Sequence, residues 1–354
     1  MSKVALGLSG GVDSSVTVHL LQKAGHEVVG VHMLLTPKSS RDHQAADDAR
    51  AVADHFGIEF HILDAREAFS KEVMQPFAEA YLNSQTPNPC VRCNATIKFG
   101  LLWQEAQRLG CDTLATGHYV RVLHDVSGPQ LTRAVDPIKD QSYFLWGISK
   151  DILPHILCPL GDYHKEETRE IAAKCGLLTA SKKESQEICF IPDDDYAAFL
   201  QDFCPDRLPG AGHFINNEGQ ILGSHNGAWR YTIGQRRGLG LALGYPAYVT
   251  ATDCSANTVC VGKNEDLFHS GLVAHQVNLL SNAASSGQGQ IKIRSRDRGT
   301  PGSWQLAGDR LIVHFDTPVR AITPGQSVVL YDGDHVLGGG IIQQAMPTSE
   351  RNIL

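Results

Sequence analysis

Ser9-Gly10-Gly11-Val12-Asp13-Ser14-Ser15 follows directly on an apolar run, residues 3–8, and opens a helical pattern over 14–24 that Gly25 ends. A strand feeding a helix through two glycines lets the backbone approach a ligand closely, and the helix N-terminal N–H groups then point at it. The serine hydroxyls add donors, so the loop suits an anion such as phosphate. It has neither the Gly-Lys-Ser/Thr ending of a Walker P-loop nor the spaced glycines of a dinucleotide fingerprint. A tight turn with an Asp/Ser cap is the competing reading.

The pattern that begins there continues. Apolar runs at 28–33, 58–63 and 113–116 read as strands, and 44–56 and 95–109 read as helices closed by Gly57 and Gly110. Alternation of this kind predicts an α/β fold, an open parallel sheet with helices on both faces. Helical patterns persist through 165–175 and 194–203. Beyond Arg207 short β-branched segments alternate with Gly, Asn and Pro turns; 311–315, 327–331 and 336–342 are strands, with Asp332-Gly333 as a hairpin turn. Three domains are expected: an α/β domain over 1–206, a small β-rich domain over 207–269, and a C-terminal β-barrel over 270–354. The Ser/Gly/Gln stretch at 281–290 reads as a low-complexity loop.

No apolar run is long enough to span a membrane, and no signal-peptide pattern opens the chain, so a cytoplasmic protein without membrane contact is expected. The nine cysteines, at 90, 93, 111, 158, 175, 189, 204, 254 and 260, are scattered and odd in number. That favours free thiols, a few of them catalytic, over a disulfide framework. The net charge of −7 argues mildly against a nucleic-acid partner, but the placement of the cations matters more than their sum.

Two cysteine contexts carry chemistry. In Thr86-Pro87-Asn88-Pro89-Cys90-Val91-Arg92-Cys93-Asn94 a proline-stiffened loop leads into a helix, where the helix start and Arg92 would favour thiolate. A zinc site would need a second ligand pair, which is not found; a thioredoxin-like pair remains a competing reading. Cys189, within Glu187-Ile188-Cys189-Phe190-Ile191, reads by itself as a core residue.

The glycine-serine loop resembles the signature of the PP-loop ATP pyrophosphatases, whose Rossmann-like domain grips the pyrophosphate of ATP and transfers AMP to a substrate oxygen. The wider set of motifs is similar to that of the tRNA-specific 2-thiouridylases (the MnmA/TrmU family): GLSGGVDSS, VHM, TPNPCVRCN, IKFG, ATGHY, KDQSYFL, ESQEICFI, YTIGQRRGLG, KIR, TPGQSVVLY and LGGGII, in this order over nearly the whole chain. The resemblance implies that Gly7, Leu8, Ser9, Gly10, Gly11, Val12, Asp13 and Ser14 bind ATP, with Met33 and Gly117 beside the nucleotide. It implies Cys93 as nucleophile and Cys189 as carrier of a persulfide. Asn88, Pro89 and Cys90 would meet the target base. His118, Lys139, Asp140, Gln141, Arg294, Ser295 and Gln326 would contact tRNA.

Two positions depart from the family. Cys90 stands where Asp is frequent, which removes a carboxylate beside the base and adds a thiol able to compete in disulfide exchange. Ser295 replaces an aromatic expected after the arginine. The cations Lys292, Arg294, Arg296 and Arg298 alternate, so on a strand all four would share one face and fit a phosphate backbone; a charged, solvated edge strand is the alternative. Arg230 to Gly238 reads as a basic loop suited to RNA, with a plain exposed turn as the alternative.

The activity that this resemblance implies is sulfur transfer to wobble uridine. ATP, with Mg2+ neutralising its phosphates and no metal cage from the protein, would adenylate the C2 oxygen; the persulfide sulfur, or hydrosulfide freed from it, would then attack C2. Cys93 would resolve the persulfide, leaving a Cys93–Cys189 disulfide for a reductant to reset. Implied partners are the Lys, Glu and Gln acceptor tRNAs and a cysteine desulfurase or sulfur-relay protein. The stretch around Cys189, between Lys182-Lys183 and Asp193-Asp194-Asp195, reads as a mobile element that could bring the two cysteines together. Competing readings are another PP-loop enzyme that adenylates a small molecule, a non-catalytic tRNA-binding protein, and a thiol–disulfide protein using Cys90 and Cys93.

Overall fold

The structure is a computed structural model describing residues 2–36, 40–125, 128–177, 188–281 and 285–347. Its first sheet is parallel, five-stranded and built from Glu59–Asp64, Glu27–Leu34, Lys3–Gly7, Thr113–Ala115 and Ile156–Leu157, in that spatial order. The chain works outward on one side of Lys3–Gly7 and then resumes on the other. This leaves a topological switch point between Lys3–Gly7 and Thr113–Ala115, where open α/β sheets take their ligands. The strands are buried runs: Val4, Ala5 and Leu6 have no exposed surface. One layer of core over the sheet is made by helices Val12–Lys23 and Ser40–Phe56, through Val18, Leu21, Ala49, Val52 and Ala53.

The second sheet is small: Tyr248–Asp253, Thr258–Gly262, Gly212–Ile215 and Ile221–His225, in that order. The third is a closed antiparallel barrel of six strands, Phe268–Leu279, Arg310–Arg320, Thr300–Ala307, Ser286–Lys292, Ser327–Asp332 and His335–Met346, with the last paired back to the first. The α/β sheet followed by β-rich units and a terminal barrel is the architecture predicted from the sequence. Closure removes the free strand edges that would otherwise invite aggregation.

Three features differ from the sequence reading. Ser286–Lys292 is a strand over the second half of the expected low-complexity loop; residues 282–284 lie outside the described residues. The alternating cations do not share a strand face. Lys292 is the last residue of its strand, opposite Val329, and Ile291 pairs with Thr300, so 293–299 is the connection of a hairpin and leaves the sheet. Lys292 is buried, donating to the Ser295 carbonyl with its ammonium over the rings of Tyr143 and Tyr331, while Arg294 donates to the Ala321 carbonyl. Arg294, tied by that one bond, is exposed, as are Arg296 and Arg298.

The third difference is a hairpin, Arg121–Asp125 and Gly128–Thr132, that emerges from the α/β region and extends the barrel sheet through Thr132 opposite His335. Around it the first domain and the barrel share one core, in which Leu131, Tyr143 and Trp146 pack with Val329, Tyr331 and Val336. The Tyr143 hydroxyl donates to the Ser327 carbonyl, and the Asn278 amide donates to the carbonyls of Trp146 and Ile148. Apolar burial and satisfied polar groups both cross this boundary, which fixes the barrel relative to the phosphate loop.

Candidate functional site

The loop lies at the switch point. Gly10 has φ +72°, and a Cβ there would stand 2.8 Å from the Ala45 carbonyl and 2.9 Å from Cβ of Asp48, so glycine is required on both counts. Gly11 caps helix Val12–Lys23 without a side-chain acceptor, which leaves the first N–H groups of the helix to a ligand. Ser14 ties the loop down, accepting from Ser9 N at 3.2 Å and donating to the Gly11 carbonyl at 3.1 Å. Gly117 closes the other wall: a Cβ there would meet Ser14 N at 2.9 Å. Leu8 is buried, and Met33 is half-buried at the C-terminal end of its strand. Gly7 to Ser14, Met33 and Gly117 therefore gather at one end of the sheet.

Asp13 carries a feature the sequence pattern did not reveal. Its Oδ1 accepts from Lys165 Nζ at 2.6 Å and from the Tyr119 hydroxyl at 3.0 Å. Lys165 is buried at the start of helix Lys165–Lys174, and its backbone N–H donates to Asp136. Asp136 also accepts from the N–H groups of Ile138 and Lys139, so one tight turn and the phosphate loop hang from the same lysine. Asp140 accepts from Ala134 N, Ser142 N and the Ser142 hydroxyl, and Gln141 accepts from Tyr119 N at 2.9 Å. Of the three expected tRNA residues here, the side chains of Asp140 and Gln141 build the turn. Ile138, 88% exposed, is its outermost residue.

Helix Pro89–Cys93 carries Cys90 and Cys93, with the Asn88 side chain accepting from Cys90 N at its start. It continues as a wide π-type turn over Asn94–Leu101, a geometry found often at functional sites. Arg92 does not activate either thiol: it turns away and pairs with Glu72 at 3.1 Å. The cation beside the thiols is Lys98, which pulls Cys90 and Cys93 down while burial, the larger effect, pushes both up. Lys98 Nζ donates to His118 Nε2 at 3.3 Å, so His118 carries its proton on Nδ1 and donates it to the Thr116 hydroxyl at 2.8 Å. Burial and Lys98 hold His118 neutral, its value well below the ordinary 6.5.

Cys189 is the surprise of placement. The residue is exposed rather than core, whereas its successors Phe190 and Ile191 are buried. Phe190 meets Phe69, Phe77 and Phe199 edge-on at 5.6, 5.3 and 5.1 Å, in the same apolar cluster that holds Cys93. Crowding by this cluster pushes the Cys189 thiol up to about 12; Cys93 adds to the rise, Lys98 opposes it, and Cys90 adds a smaller part. The three thiols and one ammonium thus share one neighbourhood. Lys182 and Lys183, part of the expected mobile element, lie outside the described residues. Beyond Cys189, Asp193 and Asp194 take left-handed conformations, and Asp195 caps helix Tyr196–Phe203.

The segment leading into Cys90 is clamped from two sides. Thr86 N donates to the Pro324 carbonyl at 2.9 Å, and the Gln326 amide donates to the Thr86 carbonyl at 2.8 Å. On the other side the Thr86 hydroxyl donates to that of Thr232 at 3.3 Å, and Cys254 N donates to the Ser84 hydroxyl at 2.7 Å. Gln326 is therefore committed to this clamp, while Arg294 and Ser295 sit on the neighbouring barrel connection. In the basic loop, Arg230 lies 4.2 Å over Trp229 and Arg236 and Arg237 are exposed. Two open clefts elsewhere, one beside Glu79 and Arg207, the other beside Gln201 and Trp229, touch neither the Ser9–Ser15 loop nor Cys90, Cys93 or Cys189.

A parallel sheet whose first strand runs into a glycine-serine loop at a helix start defines the class, a HUP-type α/β enzyme domain followed by two β domains. Family models agree: "tRNA methyl transferase HUP domain" over 2–193, "tRNA methyl transferase PRC-barrel domain" over 197–263 and "Aminomethyltransferase beta-barrel domain" over 269–342. Curated relatives match end to end. "tRNA-specific 2-thiouridylase MnmA" of Carboxydothermus hydrogenoformans is 45% identical, covering 97% of this chain and 98% of its own length. Proteins of the same name from Moorella thermoacetica and Geobacter metallireducens are 44% and 43% identical, covering 96% and 97% of this chain and 98% and 97% of their own lengths. The chain belongs to the tRNA-specific 2-thiouridylase family.

Proposed function

We propose that this chain is an ATP-dependent tRNA-uridine 2-sulfurtransferase that converts wobble uridine 34 to 2-thiouridine. The observation that carries the reading is the coexistence of an anion loop with free helix donors and a thiol cluster, Cys93 and Cys189 with Lys98, on one rigid frame. Residues 1–206 would do the chemistry, while 207–269 and 270–354 frame the RNA.

The C2 oxygen of uridine is a poor leaving group. AMP transfer to it, with pyrophosphate held by the loop N–H groups and the Ser9 and Ser14 hydroxyls, makes it one that departs as AMP. Mg2+ would come with ATP and neutralise phosphate charge; the loop's carboxylate, Asp13, has its Oδ1 on Lys165 and Tyr119, so only Oδ2 would be left to face the metal. Asn88 and Pro89 flank the base, with Lys139, Arg294 and Ser295 on the RNA side. Cys189 carries the persulfide delivered by a cysteine desulfurase or sulfur relay; its exposure suits loading by a second protein. Its outer sulfur attacks C2. Cys93 then attacks the inner sulfur, the sulfur–sulfur bond to the transferred atom breaks, and a Cys93–Cys189 disulfide remains for reduction. Thiols that must be reset each turnover belong in a reducing cytoplasm. The Lys, Glu and Gln acceptors are the expected tRNAs.

The test is 2-thiouridine in digested tRNA by mass spectrometry, after incubation with ATP, Mg2+ and a persulfide source. Wild type should form it, and Cys93→Ser and Cys189→Ser should not. Methylation without sulfur incorporation, or ATP cleavage with no change in the RNA, would refute the assignment.

A further inference from the structure

Cys90 is the one thiol of the cluster to which the proposed sulfur transfer gives no redox role. It and Cys93 are three residues apart on one short helix. Residues three apart on a helix have Cα atoms about 5 Å apart, on the same face. That falls inside the roughly 4.4–6.8 Å that a disulfide spans. Cys93 is buried, with 6% of its surface exposed, whereas Cys90 opens to solvent. Cys93 lies in the same apolar cluster as Ile188, Phe190 and Ile191, the residues that flank Cys189. Lys98, one π-type turn beyond Cys93, draws both helix thiols toward thiolate.

We propose, resting on the sulfur-transfer reading above, that Cys90 is a resolving thiol that moves the disulfide from Cys93–Cys189 to Cys90–Cys93. Cys90 gives its proton to solvent and its sulfur attacks Sγ of Cys93. The bond to Cys189 breaks, and Cys189 leaves with the electron pair and takes up a proton. No electrons are gained or lost overall, so no co-reactant is needed. A thiol held one helical turn away acts at an effective concentration on the order of millimolar or above, which favours exchange over attack by a dilute reductant. The result is a division of labour. Cys189 is freed for the next persulfide, and the oxidising equivalents wait in a bond that includes Cys90, the exposed residue of the helix pair, for a dithiol reductant.

Disulfide mapping decides the matter. The full chain is treated with one equivalent of diamide, quenched in acid, alkylated with N-ethylmaleimide, digested and analysed by mass spectrometry. Wild type should carry Cys90–Cys93 in about tenfold excess over Cys93–Cys189, equivalent to roughly 30 mV, with Cys189 alkylated. Cys90→Ser should instead hold Cys93–Cys189. A wild-type chain that retains Cys93–Cys189 overturns the proposal, as does a Cys90→Ser chain that never forms that bond. The reaction needs neither ATP nor tRNA, so absence of 2-thiouridine in the activity assay would count against the functional reading while this exchange is still measured.

Discussion

The ammonium of Lys165 lies 2.6 Å from Oδ1 of Asp13, joining the phosphate loop to a helix that begins 152 residues later in the chain. Lys165 is almost fully enclosed, its side chain 6% exposed, and Asp13 is the carboxylate ion-paired to it. Asp13→Ala leaves a buried charge, a change that typically costs about 3–5 kcal/mol. Partial exposure of Asp13 puts the expected loss at the lower end, about 3 kcal/mol in a urea titration. Lys165→Met should cost less, because it removes the enclosed ammonium and leaves unpaired only the partly exposed Asp13 carboxylate, yet should weaken ATP binding more than about tenfold, read by equilibrium dialysis. Equal ATP affinity in the two proteins would place Lys165 outside the nucleotide site.

Phe190 holds Cys189 against the Cys93 cluster. Phe190→Ala removes the three edge-on ring contacts and should destabilise the chain by about 3–4 kcal/mol. Its particular signature is slower bridging: the Cys93–Cys189 bond in a Cys90→Ser background should form at least about tenfold more slowly than with Phe190 present. Unchanged bridging would mean that other contacts position Cys189.

Gly325 sits where the barrel meets the 84–94 segment. Its φ is +89°, and a Cβ would stand 2.9 Å from both Gln85 Cβ and Thr86 N. Gly325→Ala should cost about 1–3 kcal/mol and push this segment off the Pro324 and Gln326 contacts. Hydrogen exchange at Thr86 N should accelerate, and 2-thiouridine formation should fall at least about tenfold because the cysteine helix follows directly. Gly308→Ala, at a left-handed position with open space, is the control: strain without displacement.

Stability should fall at both ends of the pH scale, for opposite reasons. Cys158 is buried and its thiol is pushed up to about 12 by burial, against an ordinary 9.0. A thiol with a raised folded value favours the fold while protonated. Its contribution is whole below the ordinary value and is lost as pH climbs toward 12. His118 is the reverse case: held well below 6.5, it favours the fold while neutral and loses that contribution as pH falls. Urea midpoints should therefore decline from about pH 9 upward and from about pH 6.5 downward. NMR of the histidine ring should show Nδ1-protonated, neutral His118 at about pH 5.5. An imidazolium signal there would contradict the Lys98 contact.

The alternation of strand and helix in the first half was legible because buried parallel strands and glycine-closed helices leave strong local patterns. So was the phosphate loop, whose glycines answer to the backbone geometry found at Gly10 and to the close approach at Gly117. Contacts between distant segments left no such trace. Nothing near Lys165 points to Asp13, although a lysine at a helix start, where cations are disfavoured, was a clue to a partner elsewhere. The 121–132 hairpin has few apolar residues of its own, and its place is set by Tyr331 and Val336 in the barrel. The cation stripe was misread because Gly299 and Pro301, both turn signals, were outweighed by the alternation of charges. Arg92 was assigned to the cysteines by proximity in sequence, but on a helix its neighbour faces elsewhere, toward Glu72.

The hairpin that completes the barrel sheet also imposes an order on synthesis. Thr132 leaves the ribosome long before His335, the residue it pairs with. At translation rates of about 5–20 residues per second, the roughly 200 intervening residues take some 10–40 s to appear. Throughout that interval Leu131, Tyr143 and Trp146 have no barrel to cover them. The nascent enzyme must carry an open apolar seam through most of its own production, until the last strand arrives.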